Sequence, residues 1–160
     1  MKREQKSLTN KGFSLVELII VVAIMAVLIG VLAPQYLRYV EKTRLQRDNT
    51  SISDFANVLK IAATEEKVNS EIATAAAVFK FSGTPLEAQP SGSTNLDAEV
   101  GLTVNFADIT LTSNTYTKQT GTSLPEVTVK VDSTTGIVTV ECSNWIDTPN
   151  GTPSDTPKKF

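Results

Sequence analysis

Residues 11–34 read Lys11-Gly12-Phe13-Ser14-Leu15-Val16-Glu17-Leu18-Ile19-Ile20-Val21-Val22-Ala23-Ile24-Met25-Ala26-Val27-Leu28-Ile29-Gly30-Val31-Leu32-Ala33-Pro34. Leu18–Ala33 is sixteen residues without a charge, and from Phe13 the run has 21, interrupted by Ser14 and Glu17. A helix needs roughly 20 mostly apolar residues to cross the hydrocarbon core of a bilayer. The plain reading of such a run near an N-terminus is a secretory signal or a single-pass anchor.

Three details argue for more than an anchor. The charged flank, with Lys2, Arg3, Lys6 and Lys11, ends in Lys11-Gly12-Phe13 before the apolar run. A secretory signal is cut after its apolar core at small residues, and the Val31-Leu32-Ala33 triplet that imitates such a site is followed by Pro34. Glu17 is an acid within an apolar helix, which costs roughly 2.5–3.5 kcal/mol on insertion scales. No base inside the run pairs with it, so its partner comes from elsewhere, or it is protonated, or it lies among headgroups. Pro34 lacks an amide hydrogen and its ring crowds the carbonyl of Gly30. It either ends the membrane helix or, with Gly30, makes a weak point in a helix that continues; Tyr36 and Tyr39 beyond it fit an aromatic interfacial belt. Arg38, Lys42, Arg44 and Arg47 on the far flank balance the four bases on the near one, so charge leaves the orientation tied.

Lys11-Gly12-Phe13-Ser14-Leu15-Val16-Glu17-Leu18-Ile19, followed by an apolar run and Pro34, resembles the prepilin signature of type IV pilins. That family includes pseudopilins of type II secretion and competence pilins. The resemblance covers roughly residues 6–45. The low cysteine count and threonine-rich remainder resemble clostridial major pilins. The resemblance implies a leader, residues 1–12, cut after Gly12 by prepilin peptidase on the cytoplasmic face. Phe13 would become the N-methylated terminus, and the mature side-chain charge would fall from −2 to −5 with the loss of Lys2, Arg3, Glu4, Lys6 and Lys11. It further implies that Glu17 meets the N-terminal amine of a neighbouring subunit, and that the segment before Pro34 loses helicity in the filament. The expected partners are the chain itself in a helical homopolymer, prepilin peptidase, the pilus assembly machinery and the membrane. The expected location is the cytoplasmic membrane, then an extracellular pilus serving adhesion, aggregation or twitching motility. A pseudopilin of a secretion or competence system and a membrane-anchored binding domain are the alternatives.

After the transmembrane and assembly helix (residues 13–34), an amphipathic helix and pilin head are expected over residues 35–146. Ile52, Phe55, Ala56, Leu59, Ala62 and Ala63 recur at helical spacing. One helix from Phe13 to about Glu66 would measure roughly 80 Å, its first half in the membrane or filament core and its second the spine of the head. Alanine-rich residues 69–81 predict a second helix, with loops at Ser82-Gly83-Thr84-Pro85 and Gln89-Pro90-Ser91-Gly92-Ser93. Val100, Leu102, Val104 and Phe106, then Ile109 and Leu111, alternate as strands do. Val127, Val129 and Val131 alternate likewise, then a turn at 132–136, then Val138, Val140 and Cys142 on one face. The expected class is α+β: a long N-terminal helix packed on an antiparallel β-sheet. Cys142 reads as a buried apolar residue and Trp145 as a cap on the core edge. Residues 147–160, with Pro149, Pro153 and Pro157, read as a flexible tail.

Net charge −2 speaks against a nucleic-acid binder. With no histidine and one cysteine, zinc sites, histidine-based catalysis and an internal disulfide have no raw material. No enzyme activity, cofactor or metal is expected. Asp132-Ser133-Thr134-Thr135-Gly136 is better explained as a hairpin turn than as a calcium loop, which needs six to eight oxygens. Arg38, Lys42, Arg44 and Arg47 read as solvated or headgroup-facing. Leu124-Pro125-Glu126-Val127-Thr128 lacks the context of a sortase signal.

Overall fold

The structure is a computed structural model that describes residues 12–83, 86–119 and 123–160. The expected leader up to Lys11, and Thr84-Pro85 of the first expected loop, lie outside them. Two compact units are present, Met1–Leu37 and Arg38–Phe160. Helix α1, Leu15–Ala62, contributes to both.

In the first unit, the described residues are the approach to α1 and its apolar portion. Every side chain from Gly12 to Leu37 is exposed. Such a helix satisfies its own backbone polar groups and leaves only side chains to be solvated. That is the arrangement a bilayer or a protein partner accepts and water does not. By length and composition α1 is able to cross a membrane.

The second unit holds the core. The stripe Ile52, Phe55, Ala56, Leu59, Ala62 and Ala63 is buried as expected, while Asp54, Asn57 and Lys60 are exposed. Phe55 meets Phe79 edge-to-face at 5.3 Å, which fixes the stripe against the sheet. Phe106 stacks on Phe79 at 5.9 Å and closes the trio. α1 ends where the Thr64 hydroxyl donates to the Ile61 carbonyl and the Asn69 side chain donates to the Ala63 carbonyl, occupying acceptors left open at a helix C-terminus.

The remaining elements are α2 (Glu66–Thr74), β1 (Ala77–Ser82), β2 (Leu86–Ala88), α3 (Thr94–Thr103), a 3₁₀ turn (Phe106–Asp108), β3 (Thr110–Leu111), α4 (Asn114–Thr117), β4 (Glu126–Val131), β5 (Val138–Ser143) and β6 (Lys158–Lys159). The strands form one antiparallel sheet in the order β3-β2-β1-β4-β5-β6. This is the expected α+β class.

The β4–β5 hairpin is as expected, with Val129 opposite Val140 and Val127 opposite Cys142. Its turn closes through the Asp132 carboxylate, which accepts from Thr134 N at 2.8 Å and Thr135 N at 3.0 Å. These two amide bonds hold its carboxyl below the usual range. Gly136 takes φ 68°, a conformation that glycine reaches without a Cβ penalty.

Three expectations are corrected. Residues 69–81 are not one helix: α2 stops at Thr74 and Ala77, Phe79 and Phe81 point into the core from β1. Val100 to Phe106 is not a strand: it is the end of α3 and the 3₁₀ turn, with Leu96 and Val100 buried four residues apart. The expected flexible tail, residues 147–160, ends in β6, which pairs with β5 through Glu141–Lys159 and Cys142–Lys158. Phe160 then packs on Trp145 at 5.7 Å, so the two aromatics anchor the tail that the prolines suggested was free.

Candidate functional site

The residues expected to matter for assembly cluster at two places in the first unit. Gly12 and Phe13 lie just before α1. Nothing in the fold demands a glycine at position 12: a Cβ there would meet no atom within 4 Å, and its φ is not positive. The folded monomer would therefore accept a side chain there. The same holds for Gly30, where an added Cβ would also meet open space.

Glu17 stands in the first turn of α1. Its Oε2 accepts from the Ser14 backbone N–H at 2.9 Å, and the Ser14 carbonyl accepts the first helical amide, from Leu18, at 3.2 Å. Ser14-Leu15-Val16-Glu17 is thus the acidic half of a capping box, in which the third helical residue reaches back to the cap amide. The sequence reading left the carboxylate without a local partner; Ser14 is one. Capping satisfies one orphan amide and leaves the second carboxylate oxygen available, and the negative charge sits favourably at the positive end of the helix dipole.

Gly30 and Pro34 lie inside α1, one turn apart, and the helix runs through them without interruption. Of the two readings of Pro34, the end of the helix is therefore set aside in this structure. The missing Pro34 N–H still leaves the Gly30 carbonyl without its helical donor.

In the second unit, sequence reasoning missed a buried polar network on α1. Glu41, Leu45, Asp48 and Ile52 share one helical face, and both carboxylates are buried beside the leucine and isoleucine. The Asp48 carboxylate accepts from Ser113 N at 2.7 Å, from Thr112 N at 2.9 Å and from the Thr112 hydroxyl at 3.3 Å. Glu41 Oε1 accepts from both Thr115 N and the Thr115 hydroxyl at 2.9 Å. Its Oε2 has no partner among the described residues. Tyr116 donates its hydroxyl hydrogen to Asn49 Oδ1 at 2.7 Å and accepts from Ile146 N at 3.2 Å. Asn49 also donates to the Ile146 carbonyl. Burial drives the Tyr116 phenol far above its ordinary range. The spacing shows only the positions, since 41, 45, 48 and 52 continue the apolar stripe backwards with acids at two of them; it does not show the donors.

These bonds fix the 112–116 segment and the 144–146 turn to α1, so the head is latched to its helix by polar groups as well as by the core. Cys142 is buried in that core, which pushes its thiol up to about 12. Among the described residues no group of acids or sulfur is arranged to hold a metal ion. Arg38, Lys42, Arg44 and Arg47 are all exposed.

No solved structure matches the chain. Residues 8–33, which include Gly12, Phe13, Glu17 and Gly30, match the family model of the prokaryotic N-terminal methylation motif, and this match supports a pilin-like or pseudopilin-like protein with prepilin processing and membrane anchoring through α1.

Proposed function

We propose that the chain is the precursor of a type IV pilus subunit, the major one, which is cut before Phe13, held in the cytoplasmic membrane by α1 and polymerised into a surface filament. One observation carries this reading. The methylation motif spans residues 8–33, and its portion from Gly12 onward lies wholly within the stretch, residues 12–39, whose residues are all exposed. A soluble monomer would not keep so large a contiguous apolar surface, whereas a subunit that moves from lipid into a packed filament core buries it twice.

Glu17 supplies register in this scheme. In the single chain it holds Ser14 N; in the filament its free oxygen would take the methylated amine of Phe13 from a neighbour. Removing one member of such a buried pair costs about 3–5 kcal/mol. Gly30 and Pro34 supply a place for the helix to open as neighbours pack, because the Gly30 carbonyl has no helical donor to lose.

The test is mass spectrometry of sheared surface filaments. A mature chain that starts at N-methylated Phe13 is expected. A chain starting at Pro34 would mean an ordinary secreted protein. Glu17→Ala or Glu17→Val should leave the precursor in the membrane and abolish filaments, and normal filaments from either variant would remove Glu17 from this role. Long, abundant fibres distinguish a pilus from the short fibre of a secretion system.

A further inference from the structure

The second unit carries two charged surfaces of opposite sign, and neither makes an ion pair among the described residues. One is basic. Arg38, Lys42, Arg44 and Arg47 are exposed on α1 and take part in no ion pair among the described residues. The only acid among them, Glu41, is turned inward onto Thr115. Tyr39 is 68% exposed. At 100° per residue it lies on the same side of the helix as Arg38 and Lys42.

The other surface is acidic with an apolar floor. Two adjoining grooves, of about 240 and 110 Å³, run between the end of α1, α2 and α3; both are lined by Glu65 and Glu99, and the larger also by Lys67, which leaves a net acidic lining. Ile61 and Leu102 flank them at 71% and 82% exposure. Neither Glu65 nor Glu99 makes a salt bridge among the described residues. From Glu65 to Asp108 the chain has Glu65, Glu66, Glu71, Glu87, Asp97, Glu99 and Asp108 against only Lys67 and Lys80. The grooves are smaller than the roughly 300–1,000 Å³ of small-molecule sites; they suit one or two side chains.

We infer that this acidic groove receives Arg38, Tyr39 and Lys42 of a second copy of the chain, Tyr39 against Ile61 and Leu102, the two cations against Glu65 and Glu99. Arg38 and Ile61 are about 35 Å apart along α1 at 1.5 Å per residue, so one chain cannot close the contact on itself. A contact between two different patches of identical chains is heterologous, and it grows as an open polymer where the rotation between copies does not close into a ring. An anionic membrane is a poor occupant of a groove with two unpaired acids. The inference rests on the filament reading and adds to it a heterologous contact outside the apolar core.

The experiment uses the full chain in cells that make the filaments. Glu65→Lys with Glu99→Lys, and separately Arg38→Glu with Lys42→Glu, should each lower sheared filament yield by at least about tenfold. The four changes together should restore it. Resistance of the cell-associated chain to protease checks that each variant folds, and the mass of the mature chain checks cleavage. An independent arm keeps the charges at Arg38, Glu65 and Glu99: Lys42→Cys with Leu102→Cys, treated with a short bismaleimide, should give a ladder of multimers. Mixed single variants should give dimers at most; Cys142, being buried, does not compete. The inference is overturned by unchanged yield after the acid reversals, by failure of the combined change to rescue, by rescue through Arg44→Glu with Arg47→Glu instead, or by the absence of a ladder. Loss of membrane retention in the basic reversals with normal yield in the acid reversals assigns the basic surface to lipid and overturns it too. Absence of wild-type filaments overturns the filament reading itself, and this contact with it.

Discussion

Replacing Asp48 by alanine should come close to unfolding the head. Asp48 is 1% exposed and accepts two backbone amides and a hydroxyl from Thr112 and Ser113. Hydrogen bonds to a charged group contribute about 1.5–3 kcal/mol each, and a buried amide stripped of its acceptor costs about 1–3 kcal/mol. Thr112 is exposed and its amide recovers water; Ser113 is fully buried and does not. The loss for Asp48→Ala is then about 3–5 kcal/mol. Asp48→Asn keeps one acceptor for Ser113 but turns a donor toward Thr112, so its loss should be smaller, about 1.5–3 kcal/mol. The assay is urea unfolding of residues 38–160, which contain the whole buried core, followed by fluorescence of Trp145, the single tryptophan. With a slope of roughly 1.5 kcal/mol/M, the alanine variant should lower the midpoint by about 2–3 M. A loss below about 1 kcal/mol, or an asparagine variant no better than alanine, would refute the claim that these amides depend on that carboxylate.

Tyr116→Phe deletes the hydroxyl that joins Asn49 to the Ile146 amide and should cost about 2–3 kcal/mol in the same assay. The buried Cys142 thiol keeps its proton to about pH 12, against an ordinary 9.0 in the unfolded chain. Its contribution is therefore complete below pH 9 and declines as pH rises toward 12; by pH 10 the wild type should lose roughly 1 kcal/mol more than Cys142→Ala relative to pH 7. Phe160→Ala removes the edge-to-face partner of Trp145 and should red-shift its emission while costing about 1–2 kcal/mol, a result that an unchanged spectrum would contradict.

The elements legible in the sequence were those whose pattern has one physical explanation. An apolar run of 21 residues, the stripe from Ile52 to Ala63 and the alternating β4–β5 hairpin each fit one period only. The misreadings came where two signals overlapped. Ala73, Ala75, Ala76 and Ala77 have the highest helix propensity, and they hid the alternation of Ala77, Phe79 and Phe81 that tertiary burial selects. At α3, alternating Val100, Leu102 and Val104 imitated a strand, yet Leu102 is exposed. The helix is set instead by its start, where Asp97 accepts from the Ser91 and Gly92 amides and Glu71 accepts from Asn95 N. The Asp48 and Glu41 latch was out of reach for a different reason. A carboxylate at a stripe position is read as solvated until the segment carrying its donors, 64 or more residues away, is known to fold back on it. In the N-terminal element the motif was plain, but the Ser14 amide as local partner of Glu17 needed the geometry of the first turn.

The docking of residues 158–160 has a consequence wherever copies of the chain are brought close together. Without it, β5, six residues long and paired with β4 on one side, would be the outermost strand with its other edge open. Crowding copies along a fibre would then invite strand-to-strand pairing, an assembly route that competes with any ordered one. With it, the two outermost strands are only Thr110–Leu111 and Lys158–Lys159. Both are too short to template a neighbour, and one carries adjacent lysines that repel their own kind. Trimming the last three residues should therefore redirect the chain toward irregular, dye-binding aggregates, even though α1 and its motif are untouched.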